Sequence, residues 1–267
     1  NCEKTQFMGI INVSPDSFYE SCSSVDEAMM LAEKMIKEGA EFLDVGAESS
    51  SPGSKPISVQ VELDKLIPVI SLLVENFDVP ISVDTYKPIV AEVALQAGAK
   101  IINDITGLQR SSEMADTIAR FQAGVVLMHM QGTPSTMQKN PEYENVLDEI
   151  YNFLAVSIKI AETAKISSDQ IAIDPGIGFG KTKKHNLEIL KKLEKFVELK
   201  KPLLLGVSRK SFIGDILGFP PEERLEGSLA ATIIGVANGA SIIRTHDIKA
   251  TRSAVRVAEA IINGESL

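Results

Sequence analysis

The sequence lacks several features that mark common protein classes. Only two of its 267 residues are cysteines, Cys2 and Cys22, too few for a disulfide framework or a metal cluster. No stretch approaches the roughly 18 consecutive apolar residues of a membrane span. The first residues, NCEKTQFMG, also lack the basic and then apolar layout of a signal peptide. We therefore expect a cytoplasmic protein that contacts no membrane.

Basic residues are also in deficit. The chain has 27 Lys and Arg against 36 Asp and Glu, which gives a formal net charge of −9. A field of this sign repels nucleic acid, so we expect no nucleic-acid partner. An anionic ligand would need a local cluster of basic groups.

What the chain does contain is a regular alternation of short apolar strands and segments with helical periodicity. The predicted strands span residues 7–12, 42–46, 81–84, 100–104, 125–129, 171–174, 203–207 and 241–245. Apolar strands joined by helices indicate a parallel sheet. Eight such units in a chain of this length predict an α/β fold, the (β/α)8 TIM barrel, as one domain over residues 1–267. A doubly wound open sheet is the alternative.

Every predicted strand ends in polar residues. They are Asn12; Asp44 and Glu48; Asp84; Asn103 and Asp104; His129; Asp174; Ser208 to Lys210; and Arg244 with His246. Any one of them could simply mark a turn, because turns are rich in Asp, Asn and Ser. In a closed barrel, however, the carboxyl ends of all strands meet at one rim, and a ring of unpaired polar groups there would be costly. Together they predict a pocket.

The predicted rim divides by chemistry. Asp84, Asn103 and Asp174 offer hydrogen-bond acceptors, which suit a flat heterocycle with several N–H donors. The other half of the rim suits phosphate or pyrophosphate, and its residues are Asn12, Lys210, Arg244 and His246. For Lys210 and Arg244 the alternative is ordinary salt bridging to Asp174 or Asp247.

Two motifs refine this hypothesis. SRKSF, residues 208–212, follows a strand and opens a helix, so its free N–H groups favour an anion, although Ser211 could be an ordinary helix cap. DPGIGFGKT, residues 174–182, resembles a phosphate-binding Walker loop but has Pro175 where the first glycine is required. We interpret it as a glycine turn that brings Phe179 close to a planar ligand.

Eight segments, in order, resemble one family. They are MGIINVSPDSF, ISVDTYK, IINDITG, VLMHMQGTPSTMQ, DPGIGFGKTKKHN, PLLLGVSRKSFIG, RLEGSLAA and IIRTHD. Together they closely resemble the dihydropteroate synthase family of folate biosynthesis, and the resemblance runs from about residue 7 to residue 262. The resemblance implies a transferase that condenses 6-hydroxymethyl-7,8-dihydropterin pyrophosphate with para-aminobenzoate, and it implies a homodimer.

The resemblance also implies a role for individual residues. The pterin would be held by Asp84, Asn103, Met128, Asp174, Phe179 and Lys210. Pyrophosphate would be held by Asn12, Ser50, Arg244 and His246. Phe18 and Ser211 would receive the aminobenzoate, and Asn12 would also bind Mg²⁺. The expected catalytic residues are Asn12, Lys210, Arg244 and His246.

Two loops depart from the family pattern. In the second loop the family usually shows Gly-Glu-Ser-Thr-Arg-Pro-Gly, whereas residues 47–53 read AESSSPG, so Ser51 replaces a basic Arg. Lys55 is the nearest residue that could replace the missing charge. In the first loop, residues 19–22 read YESC in place of Ser-Asp-Gly-Gly. Relatives that are insensitive to sulfonamides also alter the second loop, so insensitivity is a hypothesis for this chain.

Three alternatives stay open. The pterin domains of corrinoid-dependent methyltransferases share the barrel but would need no pyrophosphate cluster. A catalytically weakened pterin-binding paralogue would bind the pterin without turnover. The chain could also be one domain of a longer folate enzyme.

Overall fold

The structure, a computed structural model, describes residues 4–13, 22–49, 51 and 53–264. Within these residues eight strands alternate with helices. The strands are β1 (Gln6–Asn12), β2 (Phe42–Gly46), β3 (Ile81–Asp84), β4 (Ile101–Asp104), β5 (Gly124–Met128), β6 (Ile171–Asp174), β7 (Leu204–Leu205) and β8 (Ile242–Thr245). The α-helices are α1 (Val25–Glu38), α2 (Val59–Asn76), α3 (Pro88–Gln96), α4 (Ser112–Arg120), α5 (Val146–Thr163), α6 (Lys183–Lys191), α7 (Glu194–Val197), α8 (Ser211–Leu217), α9 (Leu225–Ala237) and α10 (Ile248–Asn263). Two 3₁₀ turns lie at Ser168–Gln170 and Pro221–Glu223.

All strand pairs are parallel, and the sheet closes on itself. The strand order is β6-β5-β4-β3-β2-β1-β8-β7. A bridge between Ile173 and Leu203 then joins the two outer strands, and the N–H of Ile173 donates to the Pro202 carbonyl at 2.9 Å. The predicted TIM barrel is therefore confirmed, and the open doubly wound sheet is excluded.

The predicted strand bounds agree with the structure to within one residue, except in β7. Regular pairing there covers two residues rather than the predicted 203–207. The chain turns immediately afterwards, with the N–H of Lys210 donating to the Val207 carbonyl at 3.3 Å. Arg209 in this turn has a left-handed φ of 55°. The early turn directs residues 208–211 toward the mouth of the barrel.

The interior of the barrel is filled with apolar side chains at its amino-terminal end. Met8, Val126, Leu204 and Ile242, from four strands, form a buried cluster there. A second, larger apolar layer lies between the strands and the surrounding helices. Packing of this end is typical of such barrels, in which ligands bind at the carboxyl ends of the strands. No helix in the described ranges has the length and apolar character needed to cross a membrane.

Candidate active site

A cleft opens at the carboxyl ends of the strands. It is lined by Ile10, Asn12, Glu48, Ser49, Ser51, Asp84, Met137, Gly178, Phe179, Gly206, Ser208, Arg209, Lys210, Ser211, Arg244 and His246. Seven residues predicted from the sequence are among them: Asn12, Asp84, Phe179, Lys210, Ser211, Arg244 and His246. They come from five strand ends and from the segments that follow them. Closure of the barrel thus brings together residues that are up to 234 positions apart.

Asp44 is the centre of the hydrogen-bond network at the barrel mouth. Its side chain is fully buried in β2 and accepts three hydrogen bonds. Ser82 Oγ donates at 2.6 Å, Asn103 Nδ2 at 3.0 Å and Arg244 Nε at 2.6 Å. Sequence reasoning counted Asp44 among the strand ends but gave it no role. A carboxylate inside the apolar run FLDVG was the available signal, because burial of such a charge requires partners.

The contact with Asp44 fixes the orientation of the Asn103 amide. Because the NH₂ group of Asn103 donates to Asp44, the amide oxygen Oδ1 must point the other way. This oxygen is buried and has no hydrogen-bond partner in the structure. A buried acceptor without a partner is costly, so this atom is suited to accept an N–H from a ligand.

Arg244 forms ion pairs with two carboxylates. Besides Asp44, its Nη2 lies 3.2 Å from Asp84 Oδ2. Burial opposes the charged form of Arg244, but the two carboxylates raise its pKa overall. For Asp84, burial is the larger influence and raises the pKa, against the attraction of Arg244. Asp247, the other salt-bridge partner considered from the sequence, pairs instead with Arg209 at 2.8 Å.

Lys210 and Phe179 both line the cleft and contact each other. The ammonium of Lys210 lies 4.7 Å from the centre of the Phe179 ring and donates to the Ile177 carbonyl. Burial lowers the pKa of Lys210 to about 8, although Asp174 and Asp84 favour the charged form. Near neutral pH Lys210 is therefore a cation that is comparatively easy to deprotonate.

The glycine turn of DPGIGFGKT packs tightly against β5. Asp174 accepts the N–H of Gly176 at 2.7 Å, and Gly176, Gly178 and Gly180 all have positive φ. A Cβ on Gly176 would lie 1.9 Å from the His129 carbonyl oxygen, so only glycine fits there. This geometry explains the glycines without a bound phosphate.

Lys181, the lysine of the rejected Walker pattern, does not reach the cleft. It is buried, and its ammonium contacts His129 Nδ1 and the Phe179 carbonyl, both at 2.9 Å. Burial, and then Lys181, lower the pKa of His129 to about 2, so its ring is neutral. The residue after Lys181, Thr182, caps α6 by accepting the N–H of His185. This lysine therefore holds the turn in place.

Asn103, Met128 and Asp174 are not among the residues that line the cleft. All three are buried at the ends of consecutive strands. Met128 is in register with Asp174, and Asn103 is in register with Asp84. Burial raises the pKa of Asp174, while Lys210 is the largest influence that lowers it. Asn103 is therefore directly beside Asp84, which lines the cleft.

His246 and Ser208 line the cleft, as Asn12 does. Ser208 Oγ lies 3.0 Å from His246 Nδ1 and accepts the backbone N–H of His246 at 3.3 Å. Burial, followed by the charge of Arg244, lowers the pKa of His246 to about 3. The ring is therefore neutral at physiological pH, and it can serve an anion as an N–H donor rather than as a cation.

The second loop borders the cleft through Ser49 and Ser51. Lys55 is exposed and is not among the cleft residues, so it does not place a charge where Ser51 replaces the usual Arg. Two other predicted site residues, Phe18 and Ser50, lie outside the described residues, as do Tyr19, Glu20 and Ser21 of the first loop.

Comparison with known proteins agrees with this architecture. A family model described as pterin binding enzyme matches residues 8–246. Dihydropteroate synthase from Escherichia coli (strain K12) is 44% identical over 260 residues, covering 97% of this chain and 92% of the relative. The Yersinia pestis dihydropteroate synthase, solved with a sulfonamide drug complex, has a TM-score of 0.95 and 40% identity, covering 98% of this chain and 96% of that chain. The Coxiella burnetii dihydropteroate synthase, solved with pteroic acid, has a TM-score of 0.91 and 43% identity, with coverages of 98% and 95%.

The barrel and its polar mouth thus define a pterin-binding enzyme, and the chain belongs to that family. The relatives above narrow this further, since each of them is a dihydropteroate synthase, a transferase of folate biosynthesis. The resemblance found in the sequence motifs is therefore confirmed over nearly the whole chain.

Proposed function

We propose that the protein condenses 6-hydroxymethyl-7,8-dihydropterin pyrophosphate with para-aminobenzoate to give 7,8-dihydropteroate and pyrophosphate. One observation carries the proposal. Lys210 and Arg244 line the cleft, and Asn103, whose amide oxygen has no partner, is beside the cleft residue Asp84 in the strand register. A ligand with a nitrogen-rich ring at one end and pyrophosphate at the other satisfies both.

The pterin is recognised by the acceptor half of the site. Asn103 Oδ1, Asp84 and Asp174 accept N–H donors of the ring, and Phe179 and Met128 cover its faces. Lys210, whose pKa is lowered to about 8, donates to acceptors on the ring. The fixed amide of Asn103 supports this assignment, because Asp44 removes the alternative in which the NH₂ group faces the ligand.

The leaving group is held by the basic half. As the C–O bond of the pterin substrate breaks, negative charge builds up on the pyrophosphate, and donors aimed at it stabilise the transition state. Arg244, Asn12 and Ser50 contribute charge and polar contacts. If the Ser208 hydroxyl donates to Nδ1 of His246, the ring proton lies on Nε2 and can be donated to the anion.

The amine of aminobenzoate needs positioning more than activation, because an aniline nitrogen is already unprotonated at neutral pH. Ser211 supports a place for the carboxylate, since it borders the cleft at the first position of α8. Phe18 would cover the ring. No covalent enzyme nucleophile is required.

Mg²⁺ fits the donors that surround the anion side. Among the described residues no group of three or more His, Cys, Asp or Glu is arranged to hold a metal ion. Mg²⁺ commonly binds through substrate phosphates and one or two protein oxygens, and the Asn12 amide in the cleft is an oxygen ligand of that kind. When bound, the ion would neutralise charge on the pyrophosphate. Calorimetry of pyrophosphate with and without Mg²⁺ tests this, and we expect Asn12→Ala to remove the gain in affinity that Mg²⁺ gives.

A homodimer stays a prediction from the family. Four apolar side chains on and beside α8 and α9 support it, each between 42% and 52% exposed: Ile216, Leu217, Phe219 and Ile234. Sedimentation velocity of the parent and of Ile234→Asp tests it. We expect the parent to be a dimer and Ile234→Asp to dissociate more readily. A parent protein that is monomeric at micromolar concentration would contradict the prediction.

The central test is a pyrophosphate-release assay with the purified protein. Release should require both substrates together, because the aminobenzoate amine completes the reaction. Binding of the pterin without any release would favour a weakened paralogue. Transfer of a methyl group from methyltetrahydrofolate to a corrinoid, without pyrophosphate chemistry, would favour a methyltransferase domain.

A further inference from the structure

The base of the second loop is held by a buried carboxylate. Glu48 is two residues beyond β2, and its side chain is 9% exposed. Its Oε1 accepts the Tyr86 hydroxyl at 2.6 Å, and its Oε2 accepts the N–H of Ile57 at 3.0 Å. Ile57 is two residues before α2, so Glu48 joins the beginning of the loop directly to its end.

Lys87 completes this connection. Its ammonium lies 2.6 Å from Glu48 Oε2 and donates to the Ile57 carbonyl at 2.7 Å. Both backbone polar groups of Ile57 are therefore held by one ion pair. Lys87 also pairs with Glu62 on α2, whose side chain is 1% exposed and accepts the Thr85 hydroxyl at 2.7 Å. We call the Glu48–Lys87–Ile57 contact the loop clamp.

The loop leaves the clamp in the direction of the cleft. Ser49 and Ser51 line the cleft, and the N–H of Gly53 donates to the Pro134 carbonyl at 3.0 Å. Pro134 belongs to the segment between β5 and α5, which also contributes Met137 to the cleft. The loop therefore reaches the segment that follows β5, and its two ends are joined by the clamp.

Substrate binding alone does not account for the environment of Glu48. A carboxylate that borders a cleft for pyrophosphate would repel that anion, yet here it is paired with Lys87 and hydrogen-bonded to Tyr86. Its bonds go to the loop and to the residues after β3, rather than into the cleft. A buried ion pair of this kind is sensitive to loss of one partner, which leaves the other charge uncompensated.

We propose that Glu48 is a positioning residue that, through Lys87, holds the second loop so that Ser49 and Ser51 face the substrates. The inference rests on the proposed function for its kinetic consequence. The clamp itself is a property of the free protein and can be measured without substrate.

Glu62 supplies a matched control. Glu48→Gln and Glu62→Gln each remove one carboxylate from the same lysine, but only Glu48 bonds the loop. We expect Glu48→Gln to increase the rate of proteinase K cleavage within residues 49–56 at least tenfold, with sites mapped by mass spectrometry. Glu62→Gln should change that rate less than threefold. Thermal denaturation of both variants separates local loosening from global unfolding.

Kinetics supply the second readout. Glu48→Gln should raise the KM of at least one substrate tenfold or more, with a smaller change in kcat, and Glu62→Gln should leave both KM values within threefold. Lys87→Met should raise the same KM, because Lys87 holds the Ile57 carbonyl, and it should also lower the melting temperature, because it leaves the buried Glu62 without its partner.

Equal cleavage rates in the two glutamine variants, or a Glu48→Gln loop as resistant as the parent loop, would overturn the inference. So would unchanged KM values in a Glu48→Gln protein that makes product. If the parent makes no dihydropteroate, the proposed function fails, whereas the proteolysis comparison still decides the clamp.

Discussion

The two sides of the cleft are built in different ways. At the strand ends, Asp44, Asn103, Asp84 and Arg244 are joined by direct side-chain contacts between four strands, so barrel closure itself sets their geometry. The second loop borders the same cleft, but its ends are held by one local clamp around Glu48. Ser51, which replaces the Arg that the family usually has, is in the loop and not among these four strand-end residues. A barrel can thus vary its loops while the strand ends keep the ligand geometry.

The largest effect should come from substitution of Asp44, which is at the centre of the contacts between the strand ends. Asp44→Ala leaves Arg244 with one carboxylate and Asn103 without its anchor. We expect a loss of about 3–5 kcal/mol in the free energy of unfolding, measured by urea denaturation, because a buried charge loses its partner. Ser82→Ala is the control, since it removes one neutral donor and should cost about 1 kcal/mol. Equal costs for the two variants would contradict the central place of Asp44.

Asn103→Ala should separate binding from stability. Its amide oxygen is unpartnered in the free protein, so the variant loses only the bond to Asp44 and should cost about 1 kcal/mol of stability. The Kd of a pterin ligand should rise roughly tenfold to hundredfold, since one buried acceptor is lost. Calorimetry measures this, and an unchanged Kd would show that the oxygen does not contact the ring.

The pH dependence of kcat/KM tests Lys210. Burial lowers its pKa to about 8, so the charged form is present below that value and is lost as the pH rises through it. We expect kcat/KM for the pterin substrate to fall above pH 8 by about tenfold per pH unit. Lys210→Arg stays charged, so the fall in kcat/KM above pH 8 should disappear in this variant, even if the overall rate is lower. If kcat/KM of Lys210→Arg still falls above pH 8, another group is responsible for the titration.

The smallest effect should be at the loop. Ser51→Arg restores the residue that the family usually has, and Ser51 is only partly buried, so the free energy of unfolding should change by less than about 0.5 kcal/mol. We expect the KM of one substrate to change severalfold, with a parallel change in the inhibition constant of a sulfonamide. If no kinetic constant changes, residue 51 influences neither substrate binding nor catalysis. A parent inhibition constant like that of an ordinary family member would contradict the hypothesis of insensitivity.

The sequence predicted the barrel because strand and helix periodicities are local properties. It also predicted which strand ends are polar, and seven of the twelve predicted site residues line one cleft. It did not predict the partners of Asp44, because its three donors are 38, 59 and 200 residues away. Nor could residue type reveal that His246 is neutral, since its lowered pKa arises from burial next to Arg244.

The clamp was missed for a related reason. Glu48 was noted as a strand-end residue, but its partners Tyr86 and Lys87 follow a different strand. The pairing of β2 with β3 makes these segments neighbours, and the residue types alone do not show that pairing. The signal in the sequence was a conflict, since an acidic residue next to a predicted pyrophosphate cluster requires a neutralising partner.

Direct detection of the product tests the central claim. The purified chain is mixed with 6-hydroxymethyl-7,8-dihydropterin pyrophosphate and para-aminobenzoate, and 7,8-dihydropteroate is quantified by mass spectrometry beside released pyrophosphate. The account predicts one dihydropteroate for each pyrophosphate and a much lower rate for Asn103→Ala under the same subsaturating conditions. Pyrophosphate release without dihydropteroate, or no product from the parent, would contradict it.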